Sequence, residues 1–169
     1  MDRSRSFLQV AGKIIGIPIL VAIGILLLPL IAIAWLAHTL MGMWLANRLR
    51  AAWPPHKFVL LGYTQSEVWA PFIEHSLLPQ LGNAVVAIDR SKEAWKRENP
   101  REARALMFWG GRRSYNPIAI VIRKRWRVRV FRFYEAFQQF KHGKPRELDR
   151  LVADLLADVK EGSSAGPVK

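Results

Sequence analysis

Between Ile14 and Asn47 the chain has no Asp, Glu, Lys or Arg over 34 consecutive residues. As a helix at ~1.5 Å per residue, such a run reaches ~51 Å, against a bilayer hydrocarbon core of ~30 Å. A soluble single-domain protein is the architecture this feature excludes most firmly. The flanks fit a membrane segment. Residues 1–13 are short, polar and basic, with Arg3, Arg5 and Lys13, and Trp35 and Trp44 stand near the far end, where indoles favour the interface. Pro18 and Pro29 lie inside the run, and prolines are tolerated in membrane helices whose freed carbonyls find other partners. The spacing predicts a transmembrane anchor and interfacial helix over residues 14–50. A hairpin turning at Pro29 is the structural alternative, with arms short for a full span. A cleaved signal peptide competes too, but its apolar region should be about 7–15 residues and should end in small residues. His38-Thr39-Leu40-Met41 is no such site.

The remaining chain has another composition. Trp53-Pro54-Pro55 within residues 51–57 reads as a stiff linker, because consecutive prolines stop a helix. An α/β domain is expected over residues 58–162, and a loose tail over 163–169. Phe58 to Gly62, Ala84 to Ile88 and Ile118 to Ile122 are short apolar runs that read as buried strands. Arg125 to Tyr134 reads as a fourth strand, joined to the third by a tight turn near Arg123-Lys124. Helices are expected after Thr64-Gln65-Ser66-Glu67, which matches a capping box, from Ser91 to Phe108, and after Pro145. The two strand-helix-strand units predict parallel pairing, and the tight turn one antiparallel pair. The expected fold is therefore a small three-layer α/β domain, β-α-β-α-β-β-α along the chain.

That order resembles the thioredoxin-like fold over roughly Phe58 to Gly162. The resemblance implies a cis proline at Asn116-Pro117, entering the third strand. It does not extend to dithiol chemistry, since Thr64-Gln65-Ser66-Glu67 stands where Cys-x-x-Cys would be. The chain has no cysteine at all, which excludes disulfides, thiolate zinc sites and thiol catalysis.

Sites in open α/β sheets gather beyond the carboxyl ends of parallel strands. Those ends deliver Tyr63, Thr64 and Glu67 after the first strand and Asp89, Arg90 and Ser91 after the second. The loop Gly110 to Pro117 should lie beside them, contributing Arg112, Arg113 and Ser114. Its glycines permit a backbone nest, so an anion could sit there; a helix C-cap with a solvated basic turn is the plainer alternative. Glu67, Asp89 and Arg112 are expected to converge at one end of the sheet. Glu67, Glu74, His75 and Asp89 are the acid/base candidates for an enzyme, although capping and solvation explain each of them. The four histidines are scattered, with no two at helical ligand spacing, so neither a metal nor a cofactor is expected.

The net charge is +13. Arg123, Lys124, Arg125, Arg127, Arg129 and Arg132 place six basic residues within ten positions. In the fourth strand Arg125, Arg127 and Arg129 share one face, opposite Trp126, Val128 and Val130. The phase then changes at Phe131, which predicts a bulge near Val130. Anionic lipid headgroups are the simplest partner for this stripe. Nucleic acid ranks below, because the final helix is acidic and no basic tail follows. An acidic protein subunit would also suit it, and an edge strand charged against aggregation needs no partner.

These features predict a single-pass membrane protein whose α/β domain binds something at the membrane surface, as an accessory or scaffolding subunit of a membrane complex. A membrane-tethered enzyme built around Glu67, Asp89 and Arg112 is the alternative from another class, and a membrane-attached nucleic-acid binder a third. From residue 51 to 144 the chain carries 17 Lys and Arg against 7 Asp and Glu. Attraction of that charge to an anionic cytoplasmic leaflet, at about 1 kcal/mol per nearby basic residue, puts the domain in the cytoplasm. The basic residues flanking the anchor are nearly balanced between its two ends, so a translocated domain is the competing topology.

Overall fold

The protein is described here as a computed structural model covering residues 3–67, 69–111, 116–123 and 127–164, with side-chain surroundings from Gly24 onward. It is mixed α/β, with a four-stranded sheet and one long apolar N-terminal helix. That helix, α1 (Arg3–Ala52), passes Pro18 and Pro29 without interruption, so the run is one helix and not a hairpin. The chain divides into two compact units, Met1–Gly42 and Met43–Lys169.

In the first unit the apolar side chains described from Gly24 onward face outward. Trp35 is 69% exposed, and Leu26, Ile31 and Leu36 are likewise exposed. The stretch Gly24–Ala52 is the one helix among the described residues long and apolar enough to cross a membrane; a signal sequence would pass the same test.

The second unit begins earlier than the linker expected at residues 51–57. Leu45, Ala46, Leu49 and Trp53 are buried. Their spacing puts them on one helical face, and that face packs on the sheet. The Trp53 indole N–H donates to Glu102 Oε1 at 2.8 Å. Pro54-Pro55 does end the helix, but only after its last turns have joined the core.

The strands are β1 (Val59–Tyr63), β2 (Val85–Asp89), β3 (Ile118–Ile122) and β4 (Val128–Arg132). Their order in the sheet is β2-β1-β3-β4. β1 and β2 are parallel, while β3 is antiparallel to both β1 and β4. The expectation of two parallel connections is therefore corrected to one. The segment between β2 and β3 breaks at Asn99-Pro100 into α4 (Trp95–Glu98) and α5 (Pro100–Gly110). Asp89 lies beside Tyr63 and Ile118 beside Gly62, so the chain enters β3 at the end of the sheet where it left β2. One helix crossing the sheet once would have delivered it to the other end.

Both faces of the sheet are covered. Odd-numbered Val59, Leu61, Ala119, Val121 and Phe131 face one core, and even-numbered Leu60, Ile88, Ile118, Ile120 and Ile122 the other. The first core is closed by α2 (Ala70–Phe72), a π-helical turn Ile73–Leu77, α3 (Leu78–Leu81), α6 (Tyr134–Lys141) and α7 (Arg146–Ser164). The widened turn precedes Pro79, which has no N–H to give to the preceding turn. Trp69 and Phe137 meet within this core, ring centroids 3.7 Å apart. The second core is closed by the last turns of α1 with α4 and α5.

Coverage of both faces also corrects the expected bulge. β3 and β4 pair residue for residue, with Val130 opposite Ile120 and Arg129 opposite Val121. The change of phase reflects two covered faces: Val128 and Val130 face the second core, while Arg129 and Phe131 lie on the side of α7. β4 is also shorter than expected, since Phe133 and Tyr134 open α6. The Asn116-Pro117 peptide bond is cis.

Candidate functional site

The carboxyl ends of β1 and β2 and the start of β3 meet at one end of the sheet. The Arg90 N–H donates to the Tyr63 carbonyl at 2.7 Å, extending the ladder past the strand ends. Beyond it the loops tie to one another. The Gln65 N–H donates to Ser91 Oγ at 2.5 Å, and the Ser91 N–H to Asp89 Oδ1 at 2.9 Å. Thr64 does not cap the following helix. Its hydroxyl oxygen accepts a hydrogen bond from the Asn116 side-chain amide. Ser66 Oγ accepts from the Trp69 N–H at 3.2 Å, in the turn that leads into the helix. The capping box fails because the helix proper starts only at Ala70, with Pro71 in its first turn.

The two faces at this end differ in charge. On the side of the first core, Tyr63 lies near the carboxylates of Glu74 and Asp89. Burial, then these two carboxylates, raise the Tyr63 pKa, because all three disfavour a phenolate. Glu67, Glu74 and His75 line a shallow cavity of about 340 Å³ with Gln65, Ser66 and Pro71. On the side of the second core lies Arg90, half-buried, its guanidinium 5.2 Å from the Trp95 ring centroid. Burial lowers its pKa, since the charged form is desolvated.

The raised Tyr63 pKa has a measurable consequence. A group that binds its proton more tightly in the folded state stabilises that state fully below its unfolded pKa, about 10 for tyrosine. The contribution is lost as pH rises through the higher folded value. Of the three tyrosines, one should ionise late in an ultraviolet titration of the folded chain, and Tyr63→Phe should remove that late step. An unchanged titration curve in Tyr63→Phe would assign the late step elsewhere.

Of the site residues expected from sequence, Thr64 and Asp89 come to this end of the sheet, with Glu67 on the loop that follows Thr64. Arg112, Arg113 and Ser114 lie outside the described residues, as do Lys124 and Arg125 of the basic stripe. Arg123 and Arg129 both pair with Asp158 on α7, and Arg123 also with Glu161 at 2.8 Å. Arg127 is exposed, and its carbonyl accepts the Arg123 N–H at 2.7 Å. Among the described residues no group of three His, Cys, Asp or Glu side chains could hold a metal ion.

Sequence reasoning placed Arg90 at the carboxyl end of the second strand without a role of its own, and gave Asn116 and Asp158 no part in a site. Asp158 was legible in principle: it falls three residues after Leu155 and one before Val159, on the buried stripe of an amphipathic helix. Asn116 carries no such signal, because its partner Thr64 is far away in sequence. No family model, no curated protein and no solved structure matches the chain.

Proposed function

We propose that this chain is a single-pass membrane protein whose α/β domain binds a partner at the membrane surface, as an accessory or scaffolding subunit of a membrane complex. The observation that carries this is α1. Its side chains from Ile25 to Leu36 are large, apolar and exposed, and its last turns belong to the core of the folded unit. A helix that helps build the domain is poorly suited to removal as a leader. The basic balance of the domain suits anionic lipid headgroups, and this supports a cytoplasmic location. Arg127, exposed and with no carboxylate partner among the described residues, is the described residue of the stripe best suited to such contacts. The tethered enzyme stands behind this reading, because two of the loop carboxylates are already engaged, Asp89 with the Ser91 N–H and Glu74 beside Tyr63. The nucleic-acid binder stands lower, since part of the basic stripe is taken up by Asp158 and Glu161.

The finer fold reading also belongs here. A parallel β1–β2 pair extended by an antiparallel β3–β4 hairpin in the order β2-β1-β3-β4 supports a thioredoxin-like domain without the dithiol. An experimental structure with another strand order would remove it.

The anchor is tested by fractionation. The chain should stay in the membrane pellet through alkaline carbonate and high salt, with residues 14–36 present in the mature protein. Release into the supernatant, or a mature N-terminus beyond residue 36, contradicts it. Purification from native membranes in mild detergent should recover stoichiometric companion subunits. For topology, a fluorescent reporter fused after Lys169 should be bright and alkaline phosphatase at the same place inactive. The reverse pattern puts the domain outside.

A further inference from the structure

Arg90 follows β2 with the parity of Val86 and Ile88, so its side chain runs over the face of the second core. The central strand makes room for it. A Cβ on Gly62 would lie 3.3 Å from Arg90 Cδ and 2.8 Å from Leu106 Cδ2. The guanidinium stacks near buried Trp95, and its Nε is buried with no hydrogen-bond partner. Among the described residues no carboxylate pairs with it. The nearby acids Asp89 and Glu74 gather around Tyr63 on the opposite face. A desolvated cation without a counterion is costly, and indole stacking offsets only part of that cost.

Level with Arg90 the central strand continues into Thr64, and Asn116 on the far side of that strand reaches the Thr64 hydroxyl. The Thr64 hydroxyl oxygen is occupied by the Asn116 amide, which leaves the Thr64 O–H free to donate. Asn116 Oδ1 is buried and has no partner. Adjacent strands are about 4.8 Å apart, so a tetrahedral anion over β1 is within reach of both sides. The surroundings thus combine a cationic N–H fork, a hydroxyl donor and one unfilled acceptor. A carboxylate or sulfate has no proton for that acceptor at neutral pH, whereas hydrogen phosphate does.

We propose that Arg90, Thr64 and Asn116 form a binding site for a phosphoryl group, with Arg90 as its positive anchor and Asn116 accepting the phosphate O–H. A small soluble phosphate and a phosphomonoester lipid headgroup both carry such a group. The site does not depend on the membrane-subunit reading, which fractionation tests separately.

The test is isothermal titration calorimetry on the full chain in detergent micelles, with inorganic phosphate and sulfate at constant ionic strength. Saturable phosphate binding is expected, at least tenfold tighter than sulfate. Arg90→Met should weaken phosphate at least tenfold, and Arg90→Lys, which keeps the charge but not the fork, should weaken it severalfold. Asn116→Ala should reduce the preference over sulfate. Nanodiscs containing phosphatidic acid should compete with phosphate if the headgroup is the source, and should not if a soluble phosphate is. Absence of saturable phosphate binding overturns the proposal. So does wild-type affinity in folded Arg90→Lys and Arg90→Met, or an undiminished phosphate preference in Asn116→Ala.

Discussion

Asp158→Ala is expected to destabilise the folded domain by about 2–3 kcal/mol. The Asp158 carboxylate is 2% exposed and is shared by Arg123 and Arg129. Removing it leaves two guanidinium groups facing each other above Phe131, Leu155 and Val159. Loss of one partner from a fully buried ion pair costs about 3–5 kcal/mol. Here the arginines are 24% and 52% exposed, so water recovers part of that, and the lower figure follows. Arg127→Ala, which removes an exposed charge, should stay within about 0.5 kcal/mol. Urea unfolding followed by tryptophan fluorescence measures both. A loss below about 1 kcal/mol for Asp158→Ala would mean that the arginines relax fully into solvent and the network holds nothing together.

The second large effect concerns the boundary between anchor and domain. Leu49→Ala should cost about 3–4 kcal/mol, within the ~2–5 kcal/mol range for emptying a fully buried leucine site. Leu49 has no exposed surface and packs with Leu60, Ile120 and Ile122 in the second core. Leu40→Ala, on the same helix but exposed, should leave unfolding of the domain unchanged. A fragment starting at Phe58 should fail to fold cooperatively, because it uncovers the part of the second core that Leu45, Leu49 and Trp53 close, whereas a fragment starting at Met43 should fold. Cooperative folding of the shorter fragment, with full stability in Leu49→Ala, would return residues 43–57 to the status of a tether.

The strands were readable because each is a short apolar run bounded by Gly, Pro or polar residues. β3 sits where the sequence puts it, and β1 and β2 are each displaced by one residue. The helix from residue 145 was readable from the spacing of Leu148, Leu151, Leu155 and Val159, a stripe that needs no knowledge of what it covers. The direction of β3 was not readable in the same way. It depends on whether the residues around Asn99-Pro100 cross the sheet or turn back, and a local break does not say where the chain goes next.

The site shows the same division. The sequence supplied Thr64 and Asp89 at strand ends, because strand ends are local features. It misassigned the role of Thr64, whose oxygen had two suitors: the backbone of its own helix and the amide of Asn116. Which one wins depends on how near β3 comes to β1.

By itself, then, the sequence determined the uncharged helix, the alternation of strand and helix, and the basic balance of the domain, since these follow from periodicity and composition along the chain. Only the tertiary structure decided that the last turns of α1 build the core, that Arg123 and Arg129 are held by Asp158, and that the Arg90 side chain runs over Gly62. Each of these is a contact between residues distant in sequence. Such contacts are set by which faces of the sheet must be covered and by what remains to cover them.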